Sequence, residues 1–193
     1  MANYILKIYK RLLFLYYKNR KPKSEEEFYK IFYTLNPNWN KAEPNQDESL
    51  RWEEIVKSLN HLKINLNKTS ILEIGCGRGW LCNKLTLLGA KTIGVDPMEP
   101  VIKYARKLFP GLEFHTDTPS GFLSKNQGRY FELVVTSEVI EHVIDKEEFL
   151  KSIYNLIEPS GYLVLTTPRL EHYDDFLSIW GEDSKQPVEE WLS

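Results

Sequence analysis

The residues of this chain best suited to chemistry stand in two short runs. In the first, an aliphatic stretch ending at Ile74 leads into Gly75-Cys76-Gly77-Arg78-Gly79 and then a helix from Trp80. Glycine admits positive φ and places no Cβ between backbone and ligand, so three glycines at alternate positions after a strand form a bed for a bound molecule. Asp96 closes the next strand, nineteen residues after Gly77. A carboxylate there can accept hydrogen bonds from both hydroxyls of a ribose, which indicates a nucleoside. The dinucleotide pattern G-x-G-x-x-G would need a glycine where this chain has Trp80. That third glycine lets the helix pack closely beside a pyrophosphate, and a bulky indole in its place suits a different ligand. Taken singly, Gly75 and Gly77 could be turn glycines, Asp96 a cap for the helix after Pro97, and Asp117 the start of a turn before Pro119.

The second run is Ser137-Glu138-Val139-Ile140-Glu141-His142-Val143. A helix beginning near Glu138 would put Glu138, Glu141 and His142 on one face, and two carboxylates with an imidazole could hold a divalent cation. Alternatively, the glutamates favour the positive end of the helix dipole while His142 points into the substrate cleft. An imidazole can take a proton near neutral pH, so His142 is the preferred general base; a hydrogen-bonded neighbour with no proton role is the other reading. His61 and His115 receive no role.

These runs need strands and helices to place them. The strands ILEI, KTIGV, LEFH, ELVVTS and YLVLTT alternate with helices expected near Trp80, Pro100, Val139 and Lys146. The fold class is therefore α/β, a Rossmann-like, doubly wound and mostly parallel sheet with an N-terminal helical extension. Three segments are expected: a basic amphipathic helix over 1–23, a helical lid or extension over 24–66, and the binding domain over 67–193. Asp47 is expected to cap a helix from Glu48 to about Leu62. Thr116 to Gly128 reads as a loop. In the lid, Trp39 is the better candidate to cover a ligand, and Trp52 reads as core.

Composition narrows the class. The chain has 193 residues, enough for one domain with an extension, and its net charge of -2 argues against a dedicated nucleic-acid binder. Seven of the first 23 residues are Lys or Arg and none is acidic. That helix could dock on anionic lipid, on its own domain or on a second copy of the chain. The two cysteines, Cys76 and Cys82, do not suggest a disulfide framework and fit a reducing compartment, so a cytoplasmic location is expected, with peripheral membrane contact through residues 1–23 as an addition. No stretch reads as a transmembrane span or a secretory signal.

Glu73-x-Gly75-x-Gly77-x-Gly79, Asp96, the later Asp117 and the run VVTSEVIEHV together resemble class I S-adenosylmethionine-dependent methyltransferases over about Ile71 to Pro168. The resemblance implies that the loop backbone lies against the methionine part of S-adenosylmethionine, with Glu73 near its amino group. It also implies that Asp96 holds the ribose, that Asp117 or Thr118 meets the adenine, and that Ser137 belongs to the cofactor-binding set. The SEVIEH run is similar to that of ubiquinone-biosynthesis O-methyltransferases and of methyltransferases of small-RNA 3′ ends, in which Glu138, Glu141 and His142 would bind Mg2+ or a similar metal. The RNA enzymes need a further histidine, and the context of His172 does not match. The expected function is methyl transfer to a small molecule, O-methylation preferred; the alternatives are an RNA 3′-terminal methyltransferase and a non-catalytic partner module. Residues after Pro168 show no convincing strand pair of the kind that completes the family's sheet. A shortened chain, a covering helix or a homodimer would answer that.

Overall fold

The computed structural model describes residues 42–167. The chain divides into two compact units, Met1–Asn45 and Gln46–Ser193. Expectations for the basic N-terminal helix, for Trp39 and for the missing strand pair lie outside the described residues.

The described part of the second unit begins with helix α1 (Gln46–His61). It continues through β1 (Ser70–Ile74), α2 (Trp80–Leu87), β2 (Lys91–Asp96), α3 (Glu99–Leu108), β3 (Glu113–Thr116), α4 (Pro119–Lys125), β4 (Phe131–Ser137), a 3-10 turn (Ile140–His142), α5 (Lys146–Tyr154) and β5 (Ile157–Thr166). The five strands form one sheet in the order β3-β2-β1-β4-β5, every adjacent pair parallel. The order reverses between β1 and β4. In open α/β sheets such a reversal opens a crevice at the carboxyl ends of the strands, and both chemistry-bearing runs leave the sheet there.

The unbroken aliphatic runs of β1 and β4 have a simple cause: both faces are covered. Leu72, Ile74 and Val134 pack with Phe122 of α4 and with Phe149 and Ile153 of α5. Ile71, Leu133 and Val135 face the other way, onto Ile55 and Leu59 of α1 and onto Leu81 and Leu85 of α2. Ile71, Leu72, Leu133, Val134 and Val135 have no exposed surface, and burying each side chain contributes about 1.5–3 kcal/mol. Cys76, Cys82, Ile102, Ala105 and Phe114 form a third cluster around the glycine loop and α3.

Three expectations are corrected. The segment read as a loop after Thr116 contains α4, begun by Thr118, whose Oγ1 accepts from the Gly121 N–H at 3.1 Å, and by Pro119 just after it. Proline suits the first turn because no intrahelical partner waits for its missing N–H. Helix α1 starts at Gln46, two residues before the expected Glu48. The helix expected near Val139 is only the 3-10 turn Ile140–His142, because Glu138 has φ 58° and cannot continue a right-handed helix. Among the described residues, no helix is long and apolar enough to cross a membrane.

Candidate active site

The glycine loop follows β1 directly. The N–H groups of Gly75 and Cys76 donate to the Val95 carbonyl at 2.8 and 3.1 Å, which ties the loop to β2. Gly75, Gly77 and Gly79 have φ of 72°, 52° and 80°. A Cβ on Gly75 would strike Val139, and one on Gly79 would strike the Phe114 ring; around Gly77 nothing lies within 4 Å of that position. Gly75 and Gly79 therefore serve packing, while Gly77 presents bare backbone to open space.

Asp96 stands against that loop, 9% exposed. Its Oδ2 accepts from Gly77 N–H at 3.0 Å and its Oδ1 from Met98 N–H at 2.9 Å. The carboxylate therefore shapes the entry to α3 and holds the loop. Asp117 is the next residue along the strand tips, its N–H donating to the Asp96 carbonyl at 3.1 Å. Asp117 Oδ2 pairs with Lys125 Nζ at 2.6 Å and Oδ1 accepts from Thr118 N–H. Thr118 spends its hydroxyl on the cap of α4.

Beneath the loop, Glu73 is 4% exposed and its Oε2 has no hydrogen-bond partner. Burial pushes its carboxyl up to about 8; hydrogen bonds from Cys82 oppose that rise, and the charges of Asp96 and Glu48 add to it. Burial likewise raises Cys76 to about 11 and Cys82 well above the usual thiol range, so both are protonated thiols without nucleophilic character. A carboxylate so deeply buried is costly to ionise without a positive partner, so the group is a neutral acid below about pH 8. A cationic amino group would supply that partner and favour the ionised form, and with the open face of Gly77 and the carboxylate of Asp96 the residues fit S-adenosylmethionine.

A feature that sequence reasoning missed lies on the other side of the loop. Arg78 donates from Nη1 and Nη2 to Glu48 Oε1 and Oε2 of α1 at 2.5 and 2.6 Å, with both side chains buried. The sequence separation of 30 residues leaves no local pattern. The one available sign is a charged residue set between two glycines.

Across the switch point, Ser137 Oγ lies 2.8 Å from Thr166 Oγ1, which in turn donates to Glu138 Oε1 at 3.1 Å. Glu141 is 2% exposed, and burial raises its carboxyl to about 7, with the Glu138 charge adding to the rise. Its Oε1 lies 3.9 Å from His142 Nε2, and its Oε2 accepts from Thr167 Oγ1 at 3.4 Å. The His142 side chain is 36% exposed, and burial lowers its pKa below the usual histidine value. The shared helical face expected for Glu138, Glu141 and His142 does not form, since the left-handed Glu138 turns the chain before the 3-10 turn. Among the described residues, no three His, Cys, Asp or Glu side chains are placed to hold a metal ion.

A Rossmann-like sheet with a glycine bed at its switch point and a carboxylate closing the neighbouring strand defines a nucleoside-cofactor enzyme class. The chain belongs to the methyltransferase domain family, whose model it matches over residues 18–192. It is similar to the mitochondrial ubiquinone biosynthesis O-methyltransferase of Bos taurus, 38% identical over 109 residues that are 53% of this chain and 29% of that protein. It is also similar to the ubiquinone biosynthesis O-methyltransferase of Bradyrhizobium diazoefficiens, 35% identical over 121 residues that are 61% of this chain and 45% of that one. The chain thus spans less than half the length of these relatives. Its fold matches the crystal structure of an S-adenosylmethionine-dependent methyltransferase from Clostridium acetobutylicum with a TM-score of 0.57 at 18% identity, covering 78% of this chain and 61% of that chain.

Proposed function

We propose that the crevice binds S-adenosylmethionine and that the protein transfers its methyl group to a hydroxyl of a small phenolic acceptor. The observation that carries this reading is the open backbone of Gly77 beside the Asp96 carboxylate, with the orphaned Glu73 Oε2 beneath the loop. The names of the two ubiquinone biosynthesis relatives favour a phenol over an amine or a carbon acceptor. When bound, S-adenosylmethionine supplies a methyl carbon already activated by a sulfonium charge.

The chain's own residues then have to position, exclude water and move one proton. Glu73 receives the amino group, Asp96 the ribose hydroxyls, and Asp117 with Thr118 border the adenine. Ser137, at the end of β4, joins the cofactor-binding set. His142 takes the acceptor hydroxyl's proton as the oxygen–carbon bond forms and the sulfur–carbon bond breaks. The test is transfer of labelled methyl from S-adenosylmethionine to catechol and protocatechuate. Label in the methyl ether supports the reading; label on an added amine with none on either phenol would contradict it.

Gly77→Ala separates ligand space from folding. A Cβ there meets no protein atom, so the variant carries only the left-handed backbone cost of roughly 1–2 kcal/mol. Its affinity for S-adenosylhomocysteine should fall by about tenfold or more, since intrusion into a fitted site costs about 1–3 kcal/mol. A titration showing wild-type affinity would remove the loop from the binding site.

Cofactor binding should also depend on pH through Glu73. Burial pushes its carboxyl up to about 8 in the free protein, where Cys82 on α2, Asp96 at the end of β2 and Glu48 on α1 act on it and Cys76 of the loop stands close by. A cationic amino group stabilises the ionised form, so below that value binding must expel a proton. Affinity should therefore rise by up to about tenfold per pH unit from 6 toward 8 and then level off. Calorimetry in two buffers of different protonation enthalpy would detect the proton released at pH 7. Affinity independent of pH across that window would contradict the role of Glu73, and Glu73→Gln should abolish the dependence.

A further inference from the structure

The loop that makes the cofactor bed is gripped by an ion pair whose burial stability alone does not explain. Arg78 is 3% exposed and Glu48 2%. Taking two such charges out of water costs several kcal/mol per ion before their attraction is counted, and apolar residues of similar volume are often no worse for the fold. What a forked guanidinium–carboxylate contact adds is direction: two parallel bonds fix the plane and azimuth of both groups.

Arg78 lies between Gly77 and Gly79, both at left-handed φ, and glycines have no side chain for the rest of the fold to hold. The Arg78 side chain supplies that hold. Its partner Glu48 stands in the first turn of α1, a helix anchored on the sheet by Ile55 and Leu59.

We propose that α1 is a strut for the cofactor loop: Glu48 holds Arg78 so that Gly77 keeps its open face forward and its N–H on Asp96. Glu48 and Arg78 are positioning residues acting through the loop. The proposal rests on the reading of the crevice as the S-adenosylmethionine site. Loosening the fork weakens cofactor binding by freeing the loop, whereas a merely structural pair would change affinity only as far as it changed stability.

Two variants separate these cases. Arg78→Lys keeps the charge and loses the fork. Glu48→Leu with Arg78→Met removes both charges and keeps apolar volume, so the double variant should melt close to wild type. Both should bind S-adenosylhomocysteine about tenfold more weakly than wild type, within the usual range of coupling between linked sites. In the ligand-free protein, amide exchange over Glu73 to Cys82 should be about tenfold faster in both, while exchange in β4 stays unchanged. A double variant with wild-type melting, affinity and loop exchange would overturn the strut. If it fails to fold, Arg78→Lys decides alone, and wild-type exchange in that variant would overturn the proposal. Failure of the wild-type protein to bind S-adenosylhomocysteine would remove the cofactor reading instead, and loop exchange would still decide whether α1 holds the loop.

Discussion

An Asp96→Ala protein is expected to bind S-adenosylhomocysteine at least about a hundredfold more weakly than wild type. Two hydrogen bonds from ribose hydroxyls to a carboxylate are at stake, each contributing about 1.5–3 kcal/mol because the acceptor is charged. The loss includes preorganisation. Asp96 already bridges Gly77 N–H and Met98 N–H, so its removal frees the loop and the entry to α3 together. Asp96→Asn should fall between the two, because one oxygen survives as an acceptor while the charge is gone. The check is a titration of folded Asp96→Ala beside wild type. Equal affinities would end the ribose assignment.

A His142→Ala protein should lose roughly 10²–10⁴-fold in kcat while its affinity for S-adenosylhomocysteine stays near wild type, since the acceptor's proton would have no positioned base. Burial lowers the histidine pKa from its usual 6.5, so the ring is neutral at pH 7 and able to accept. The acid limb of the rate profile should accordingly lie below 6.5, and activity should fall as the pH drops through that lowered value. Glu141 changes charge nearby, with its carboxyl at about 7 and 3.9 Å from the ring. Glu141→Gln should shift the acid limb while keeping most of the rate. A His142→Ala protein with undiminished kcat would assign the proton transfer elsewhere.

The strands were legible because each has a double cover, and double cover leaves unbroken aliphatic runs such as Leu133-Val134-Val135. The glycine loop and Asp96 were legible because their chemistry requires particular residue types at particular offsets from strand ends. Where the reading failed, local patterns misled or no local pattern existed. Pro119, Ser120 and Gly121 look like a turn, yet Pro119 follows the capping hydroxyl of Thr118, and that pairing of Thr and Pro was the signal to use. The left-handed backbone of Glu138 has no counterpart in its residue type, so the three acidic and imidazole groups were wrongly given one helical face. The Glu48–Arg78 pair joins residues from different elements, a contact that only the assembled fold defines. The unpartnered oxygen of Glu73 is likewise a property of packing.

The central claim is that this crevice takes S-adenosylmethionine, and calorimetric titration of the full chain with S-adenosylhomocysteine, with NAD as the control, tests it most directly. The account predicts saturable one-to-one binding of S-adenosylhomocysteine, stronger at pH 8 than at pH 6, and no heat of binding from NAD. A folded protein that binds NAD, or that binds neither compound, would contradict it.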